Sequence, residues 1–198
     1  MEPVNKKKLL LVVDMQNDFI DGSLGTPEAQ AIVPKVCEKI KNWDGQIWLT
    51  QDTHNANYLE TNEGKHLPVK HCLFATEGWM IQDDVMEAVI YSKAAEEDDE
   101  CNVEYPYNRV KYLRKDAFGS RLLVTERSDW WKEIESVELI GLCTDICVIS
   151  NAVLIKSFSP EIEISVDASC CAGVTPQSHK NALEAMKMLQ IEIKNEEV

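Results

Sequence analysis

The chain has 198 residues, 44% of them hydrophobic, so it is long enough to bury a sizeable core and is predicted to form one domain over residues 1–198. Its 34 acidic and 20 basic side chains give a formal net charge of −14, which argues against partners such as nucleic acid or an anionic membrane surface. No apolar segment reaches membrane-spanning length, and seven cysteines without regular spacing favour a reducing, cytoplasmic location over a disulfide framework.

Six short, strand-like runs alternate with helical patterns along the chain. These runs are residues 9–13, 46–50, 109–113, 137–142, 162–166 and 190–193. We expect a helix that begins at Pro34, since proline is tolerated as the first helical residue, and another that follows Thr144 as its N-cap. A further helix begins near Pro176. This alternation predicts an α/β fold in which helices cover both faces of a mainly parallel sheet.

Two regions interrupt this alternation. Residues 52–80 form a long, loop-rich segment that contains three of the four histidines. Residues 93–108 include five consecutive acidic residues and are interpreted as a solvated loop.

The segment around Cys147 is the strongest indication of chemistry. The apolar run 137–142 ends just before it and a helical pattern begins at once, which places Cys147 in the first turn of a helix. Backbone N–H groups in a first turn have no partner within the helix, and they stabilise a thiolate or an oxyanion nearby. Cys147 is therefore predicted to be a nucleophile.

Other polar residues follow the predicted strands in the same way. Asp14 ends the first strand, Asp52 and His54 follow the second, and Lys115 follows the third. Ligands of open α/β sheets bind beyond the carboxyl ends of the strands, so these side chains and Cys147 are expected at one edge. Each residue alone is weak evidence, but their joint placement favours an active site.

A metal site is predicted at the same edge. Asp52 and His54 are two residues apart on an extended segment and therefore point the same way. His71 is a candidate third ligand, and either Glu63 or His66 a fourth. Mixed histidine and carboxylate ligands suit a divalent ion such as Zn²⁺, Fe²⁺ or Mn²⁺.

Five segments together resemble a known family. They are residues 13–19 (VDMQNDF), 52–54 (DTH), 67–72 (LPVKHC), 114–118 (RKDAF) and 141–148 (GLCTDICV). In this order they resemble the isochorismatase-like cysteine hydrolases, and among these the nicotinamidases. The resemblance implies a three-layer, doubly wound fold with six mostly parallel strands. It also implies a catalytic triad of Asp14, Lys115 and Cys147.

The same resemblance implies further features of the site. Asp52, His54 and His71 would be metal ligands, with Glu63 at a position that some members use. A cis peptide would join Leu142 to Cys143, just before the amide of the oxyanion hole. The resemblance also suggests a homo-oligomer.

These observations lead to a hypothesis of metal-assisted amide hydrolysis, in which nicotinamide is converted to nicotinate and ammonia through a thioester on Cys147. The backbone N–H groups of Cys143 and Cys147 would form the oxyanion hole. Phe19 would stack on the substrate ring, and Leu67 would line the pocket. A pyridine nitrogen is a good ligand for a borderline ion, with Zn²⁺ favoured, which is the reason for preferring nicotinamide.

Three alternatives are open from the sequence. The chain could be another hydrolase of this family, such as an isochorismatase or an amidase for a different small molecule. It could be a non-catalytic protein with the same fold. It could also be a redox protein that uses Cys143 and Cys147, although these cysteines are four residues apart and do not form a Cys-x-x-Cys motif.

Overall fold

The structure is a computed structural model that describes residues 7–96, 110–125, 131 and 133–196. Its centre is a six-stranded sheet in which every neighbouring pair of strands is parallel. The strands are β1 (Lys7–Val13), β2 (Gln46–Asp52), β3 (Val110–Lys115), β4 (Ile134–Leu142), β5 (Glu163–Ala172) and β6 (Glu192–Lys194). Their spatial order is β3-β2-β1-β4-β5-β6, so the strand order reverses at β1, the switch point of a doubly wound sheet. The predicted fold class is confirmed.

Helices cover both faces of this sheet. In chain order they are α1 (Asn17–Ile20), α2 (Pro27–Asn42), α3 (Asn62–His66), α4 (Asp83–Ile90), α5 (Lys93–Glu96), α6 (Leu122–Thr125), α7 (Ile149–Phe158) and α8 (Pro176–Met188). Apolar residues of α1, α2 and α4 pack in one core cluster, and those of α6, α7 and α8 pack in the other. The sheet between the two clusters completes a three-layer structure.

Because helices cover both faces of the sheet, its central strands are apolar on both sides. Residues 9–13 of β1 are fully buried, and alternate side chains enter the two opposite clusters. A strand covered on both faces buries every side chain, so it shows a continuous apolar run rather than an alternating pattern. The run ends at Val13, the last residue of β1, and the charged Asp14 follows it.

Two expectations about helix starts were wrong. α2 begins at Pro27, and the Thr26 side chain caps it by accepting a hydrogen bond from Ala29 N at 3.0 Å. Pro34 lies inside this helix on its exposed side, where water can reach the carbonyl that proline leaves unpaired. Thr144 is not an N-cap, because Cys143 occupies the cap position before a π-helical turn, Thr144–Val148, that leads into α7.

The structure describes all of the loop-rich segment 52–80 but only the beginning of the acidic segment 93–108. Between β2 and α4 the chain forms a short 3₁₀ turn, Tyr58–Glu60, and then α3, and His54 pairs with Leu73 in an isolated parallel bridge. Of the acidic stretch 93–108, the first four residues form α5 and residues 97–108 lie outside the described residues. Within the described parts of the chain, no helix combines the length and apolar character needed to cross a membrane.

Candidate active site

The ends of β1 and β4 bring the candidate triad together. Gly141 in β4 has φ +113°, and a Cβ atom there would lie only 2.2 Å from the carbonyl oxygen of Val13. Glycine thus allows the two strands to approach where each reaches a candidate catalytic segment. Asp14 itself has φ +47°, a left-handed conformation that turns the chain sharply after β1. The conformation ends the strand and leaves the carboxylate at the carboxyl edge of the sheet.

Asp14, Lys115 and Cys147 form one buried group. Lys115 Nζ lies 2.7 Å from Asp14 Oδ2 and donates to Cys147 Sγ at 3.6 Å. The other carboxylate oxygen, Asp14 Oδ1, accepts a hydrogen bond of 2.7 Å from the hydroxyl of Thr50 on β2. The exposed fraction is 0% for Asp14, 6% for Lys115 and 5% for Cys147. The three residues are far apart in sequence and reach the same place from the ends of β1, β3 and β4.

Burial and charge set the protonation of this group. Burial raises the pKa of the Cys147 thiol well above its ordinary value, and the nearby Asp14 carboxyl raises it further while Lys115 opposes both. Burial also raises the pKa of Asp14, against the lowering effect of Lys115. For Lys115, burial favours the neutral amine, but the carboxylates of Asp14 and Asp52 raise its pKa well above the usual value. The resting group therefore has a neutral thiol beside a lysine ammonium.

The turn that contains Cys147 is held by its own contacts. The amides of Ile146 and Val148 both donate to the carbonyl of Cys143, at 3.1 and 3.0 Å. Asn151 is fully buried and donates to the carbonyl of Cys147 at 2.8 Å, while its own oxygen accepts from Ser120 N at 2.8 Å. The peptide bond between Leu142 and Cys143 is cis. The turn thus presents Cys147 at a defined position beside Lys115.

Four candidate metal ligands meet on the other side of Lys115, with donor atoms that all lie within 4.8 Å of one another. Asp52 Oδ2 lies 3.0 Å from His54 Nε2 and 3.7 Å from His71 Nε2. Glu63 Oε1 lies 3.6 Å from each histidine nitrogen. Donor atoms that bind one ion at about 2.0–2.2 Å lie at most roughly 4.4 Å apart, so these spacings fit one divalent ion. Lys115 Nζ also donates to Asp52 Oδ1 at 3.2 Å, which joins this group to the triad.

The surroundings of the donor atoms also suit a metal. His71 Nδ1 lies 2.9 Å from the carbonyl of Val69, which leaves Nε2 as the nitrogen with a free lone pair. His54 Nε2 is buried, and its approach to Asp52 lacks the geometry of a hydrogen bond. Burial would raise the pKa of Asp52, but the adjacent histidines and the charge of Lys115 hold it well below its usual range, so its carboxylate is available to a cation. The four residues fit a resident divalent ion.

The structure brings only one of the two candidates for the fourth ligand close to the other donors. Glu63 belongs to the group of mutually close donor atoms, and His66 does not. Both residues are on α3, but His66 is exposed and its Nδ1 lies 2.8 Å from the carbonyl of Asn62, one helical turn earlier. His66 therefore lies at the cavity wall rather than among the ligands.

A cavity of about 1070 Å³ lies above both groups. Cys147 and the four candidate ligands contribute to its lining, as do the two residues expected to contact a substrate, Phe19 and Leu67. The ring of Phe19 lies 5.5 Å from that of His71, centroid to centroid. The cavity therefore joins the thiol and the candidate metal site in one space.

The sequence analysis missed several residues that support the site. Thr50 holds Asp14, and Asn151 holds the Cys147 turn, as described above. Gln16 accepts from Asp52 N at 2.7 Å and donates to the carbonyls of Asp52 and Trp79, so it fixes the end of β2. Phe118 lines the cavity. Of these four residues, only Gln16 and Phe118 lie within the five segments that resemble the family. The sequence therefore offered a signal for these two residues and none for Thr50 or Asn151.

Comparisons with known proteins identify relatives of this chain. The Isochorismatase domain model matches residues 8–195. The chain is 29% identical over 184 residues to a Bacillus subtilis protein named uncharacterized isochorismatase family protein PncA, covering 89% of this chain and 92% of that protein. It is 20% identical over 229 aligned positions to a nicotinamidase of Saccharomyces cerevisiae, covering 94% of this chain and 98% of the relative.

A solved structure extends the likeness to the fold. The pyrazinamidase of Pyrococcus horikoshii in complex with zinc has a TM-score of 0.69 and 24% sequence identity, and the match covers 94% of this chain and 98% of that chain. The domain match extends over nearly the whole chain, beyond the segments from which the resemblance was first identified. The chain belongs to the isochorismatase family of hydrolases.

Proposed function

We propose that this protein is a metal-assisted cysteine amidohydrolase whose substrate is nicotinamide and whose products are nicotinate and ammonia. The observation that carries the proposal is the single cavity shared by Cys147, with Asp14 and Lys115 beside it, and by the four-residue ligand group. The nicotinamidase of Saccharomyces cerevisiae and the zinc complex of the Pyrococcus horikoshii pyrazinamidase support this choice of substrate and ion.

The first half of the reaction forms a thioester. Asp14 takes the proton of the Cys147 thiol, and the thiolate attacks the carboxamide carbon. Because burial raises the pKa of both groups, this transfer is expected with substrate in place, when the developing charge has partners. Backbone N–H groups of Cys143 and Cys147 would hold the oxyanion, each donor contributing about 3 kcal/mol in comparable sites. The intermediate collapses when protonated Asp14 gives its proton to the departing ammonia.

The second half regenerates the thiol. Asp14, again a carboxylate, accepts a proton from water as the water attacks the thioester carbon. The C–S bond breaks, the thiolate recovers the proton from Asp14, and the product leaves as nicotinic acid, which loses its proton to the solvent and becomes nicotinate. Lys115 keeps its ammonium within 2.7 Å of Asp14 Oδ2 and 3.6 Å of Cys147 Sγ throughout, so neither negative charge is left uncompensated.

Asp52, His54, Glu63 and His71 would hold the divalent ion. Such an ion would supply a Lewis acid at the wall of the cavity and a coordination position for a pyridine nitrogen. Zn²⁺ is favoured over Fe²⁺ or Mn²⁺ by the zinc complex of the Pyrococcus relative. The cytoplasmic location and the homo-oligomer remain predictions.

A second candidate is another hydrolase of the family that acts on an anionic substrate. The described lining of the cavity contains no lysine or arginine, whereas Asp52, Glu63 and Asp116 contribute carboxylates. A carboxylate-bearing substrate would find no cationic side chain in this lining and would depend on the divalent ion alone, whereas a neutral amide needs no such partner. The lining therefore favours a neutral amide over a substrate of the isochorismate type.

The test is ammonia release from nicotinamide by purified protein. Cys147→Ala is expected to abolish turnover and to keep the fold, because it removes the nucleophile and only a small buried group. Cys37→Ala, on α2 outside the cavity, is the matched control and should retain turnover. Turnover by the Cys147 variant would remove the nucleophile from the proposal, and activity confined to an anionic vinyl ether would favour the second candidate.

A further inference from the structure

Two side chains connect the nucleophile turn to the start of α8. The hydroxyl of Thr144 lies 2.7 Å from Nδ1 of His179, which is in the first turn of α8. The carboxylate of the next residue, Asp145, accepts from the amide of Val174 at 3.1 and 3.3 Å. Thr144 is fully buried. The turn is thus attached to the segment between β5 and α8 through consecutive residues.

The backbone of His179 is itself firmly placed. Its amide donates to the carbonyl of Thr175 at 3.0 Å, and Thr175 and Ser178 form a capping box at the start of the helix. Gly173 packs so closely that a Cβ atom there would lie 2.9 Å from His179 N. A side chain at residue 173 would therefore push this part of α8 away from the turn.

Thr144 is the residue through which this placement reaches the reacting groups. It directly follows Cys143, whose amide is one proposed oxyanion donor, and precedes Cys147 by three residues in the same π-helical turn. Its hydroxyl does not cap the helix, so the contact with His179 is the hydrogen bond that it makes. A change in the position of Thr144 would move both amides relative to Lys115.

We propose that His179 is a positioning residue for the hydrolysis, which holds the Thr144 hydroxyl and thereby keeps the Cys143 and Cys147 amides and the Cys147 thiol aligned with Asp14 and Lys115. The inference rests on the proposed function only in the test that measures turnover of nicotinamide. His179 does not line the main cavity and is not expected to contact substrate.

The ionisation of His179 agrees with this role. Burial lowers the pKa of its imidazole, and Lys180 adds to that effect, whereas Asp145 and Glu196 oppose it. A neutral ring can accept the Thr144 hydroxyl hydrogen at Nδ1. The same ring also contributes to the wall of a separate cavity of about 610 Å³ between α2 and α8, so one of its sides faces a space.

The first test measures kcat and KM of variants on nicotinamide. His179→Ala and Thr144→Val should each lower kcat by about ten- to a hundredfold and leave KM within about threefold, because misplaced catalytic groups slow the chemistry more than binding. The double variant should be no worse than the poorer single variant. Thr144→Ser keeps the hydroxyl and should restore most of kcat, and Lys180→Ala, on the neighbouring exposed residue, should match the parent protein.

The second test does not depend on the substrate. The rate at which iodoacetamide modifies Cys147, followed by mass spectrometry of its peptide, should fall at least threefold in His179→Ala and in Thr144→Val and stay unchanged in Lys180→Ala. Absence of ammonia release in the parent protein would reject the proposed function, and this rate would still decide the role of His179.

Several results would overturn the positioning role. They are an unchanged or higher modification rate in both variants, an additive double variant, or a Thr144→Ser variant as poor as Thr144→Val. If His179→Ala does not fold, as judged by its thermal unfolding, the comparison of Thr144→Val with Thr144→Ser decides the outcome by itself.

Discussion

Two buried clusters in this protein have the same composition and different chemistry. Each holds one lysine between two carboxylates. The first, the Lys115 cluster, is Lys115 with Asp14 and Asp52, and the second, the Lys39 cluster, is Lys39 with Glu138 and Asp167. The first lies at the carboxyl edge beside Cys147. The second lies between α2 and strands β4 and β5. Charge composition alone therefore does not identify the active site.

The Lys39 cluster is fully compensated. Lys194 lies 2.9 Å from Glu138, Asn195 donates to Asp167 Oδ2 at 2.9 Å, and the hydroxyl of Ser169 donates to Asp167 Oδ1 at 2.8 Å. Burial would raise the pKa of Asp167, but its hydrogen bonds from Lys39, Ser169 and Asn195 lower it. A carboxylate in this state is a poor base, and the cluster is structural.

The Lys115 cluster is compensated only in part. Asp14 Oδ2 is 2.7 Å from Lys115 Nζ, yet none of the described residues gives it a well-directed hydrogen bond. Burial raises the pKa of Asp14 in spite of the lysine. Such a carboxylate gains from accepting a proton, and the Cys147 thiol is beside it. The clusters therefore differ in how many hydrogen bonds their carboxylate oxygens accept, and in whether a thiol lies beside them.

The sharpest test exchanges one carboxylate for an amide in each cluster. Asp14→Asn removes the proposed base and should lower kcat on nicotinamide by at least about a thousandfold, as loss of an essential catalytic group does. Asp167→Asn changes the same atoms in the Lys39 cluster and should leave kcat within about twofold. Ammonia release measures both. Comparable losses of activity in the two variants would contradict the distinction between the clusters.

The next effect is on stability rather than on turnover. Lys39→Met leaves the buried carboxylate of Asp167 without its lysine partner and should lower the free energy of unfolding by about 3 kcal/mol. Lys41→Met, on the exposed side of the same helix, should change it by less than about 0.5 kcal/mol. Urea denaturation followed by circular dichroism measures both. Equal stabilities of the two variants would show that the Lys39 cluster is not structural.

The two clusters also show what a single sequence reveals. The Lys115 cluster was predictable, because Asp14, Asp52 and Lys115 each directly end a strand, and parallel strands bring their carboxyl ends to one edge. The Lys39 cluster was not predicted. Glu138 and Asp167 lie within otherwise buried strands, and nothing local indicates that Lys39, 99 residues before Glu138, reaches both.

Side-chain direction explains the other differences between sequence and structure. Glu63 and His66 are three residues apart on one short helix, so spacing left both as candidate ligands, and only the orientation of α3 separates them. Thr144 stands where an N-cap is expected, but the π-helical turn begins one residue earlier and turns its hydroxyl towards His179. Contacts between distant segments decide such details, and they leave no periodic trace in a sequence.

A metal ion would be a further distinction between the clusters, since only the Lys115 cluster adjoins the ligand group. His71→Ala should lower the bound metal content and the turnover at least about tenfold, because it removes one donor. His66→Ala, at the cavity wall on α3, should retain the bound ion. Elemental analysis of dialysed protein measures the ion, and added Zn²⁺ should restore chelator-treated parent protein but not the His71 variant. Full activity of metal-free protein would contradict the role of the ion.

The smallest expected effect is the pH dependence of stability that Asp167 contributes. Its pKa is lowered on folding from an ordinary value of 3.8, so the folded state holds fewer protons and the contribution is complete above that value. It is lost as pH falls through the folded pKa. The difference in unfolding free energy between the parent protein and Asp167→Asn, about 1 kcal/mol, should therefore be constant from pH 7 to pH 5 and shrink below about pH 4.

Asp14 should behave in the opposite way: its raised pKa makes its ionised form costly in the folded state, so acidification relieves that cost. Urea titrations at several pH values distinguish the two, and a difference for Asp167→Asn that grows on acidification would contradict the assignment of a compensated carboxylate.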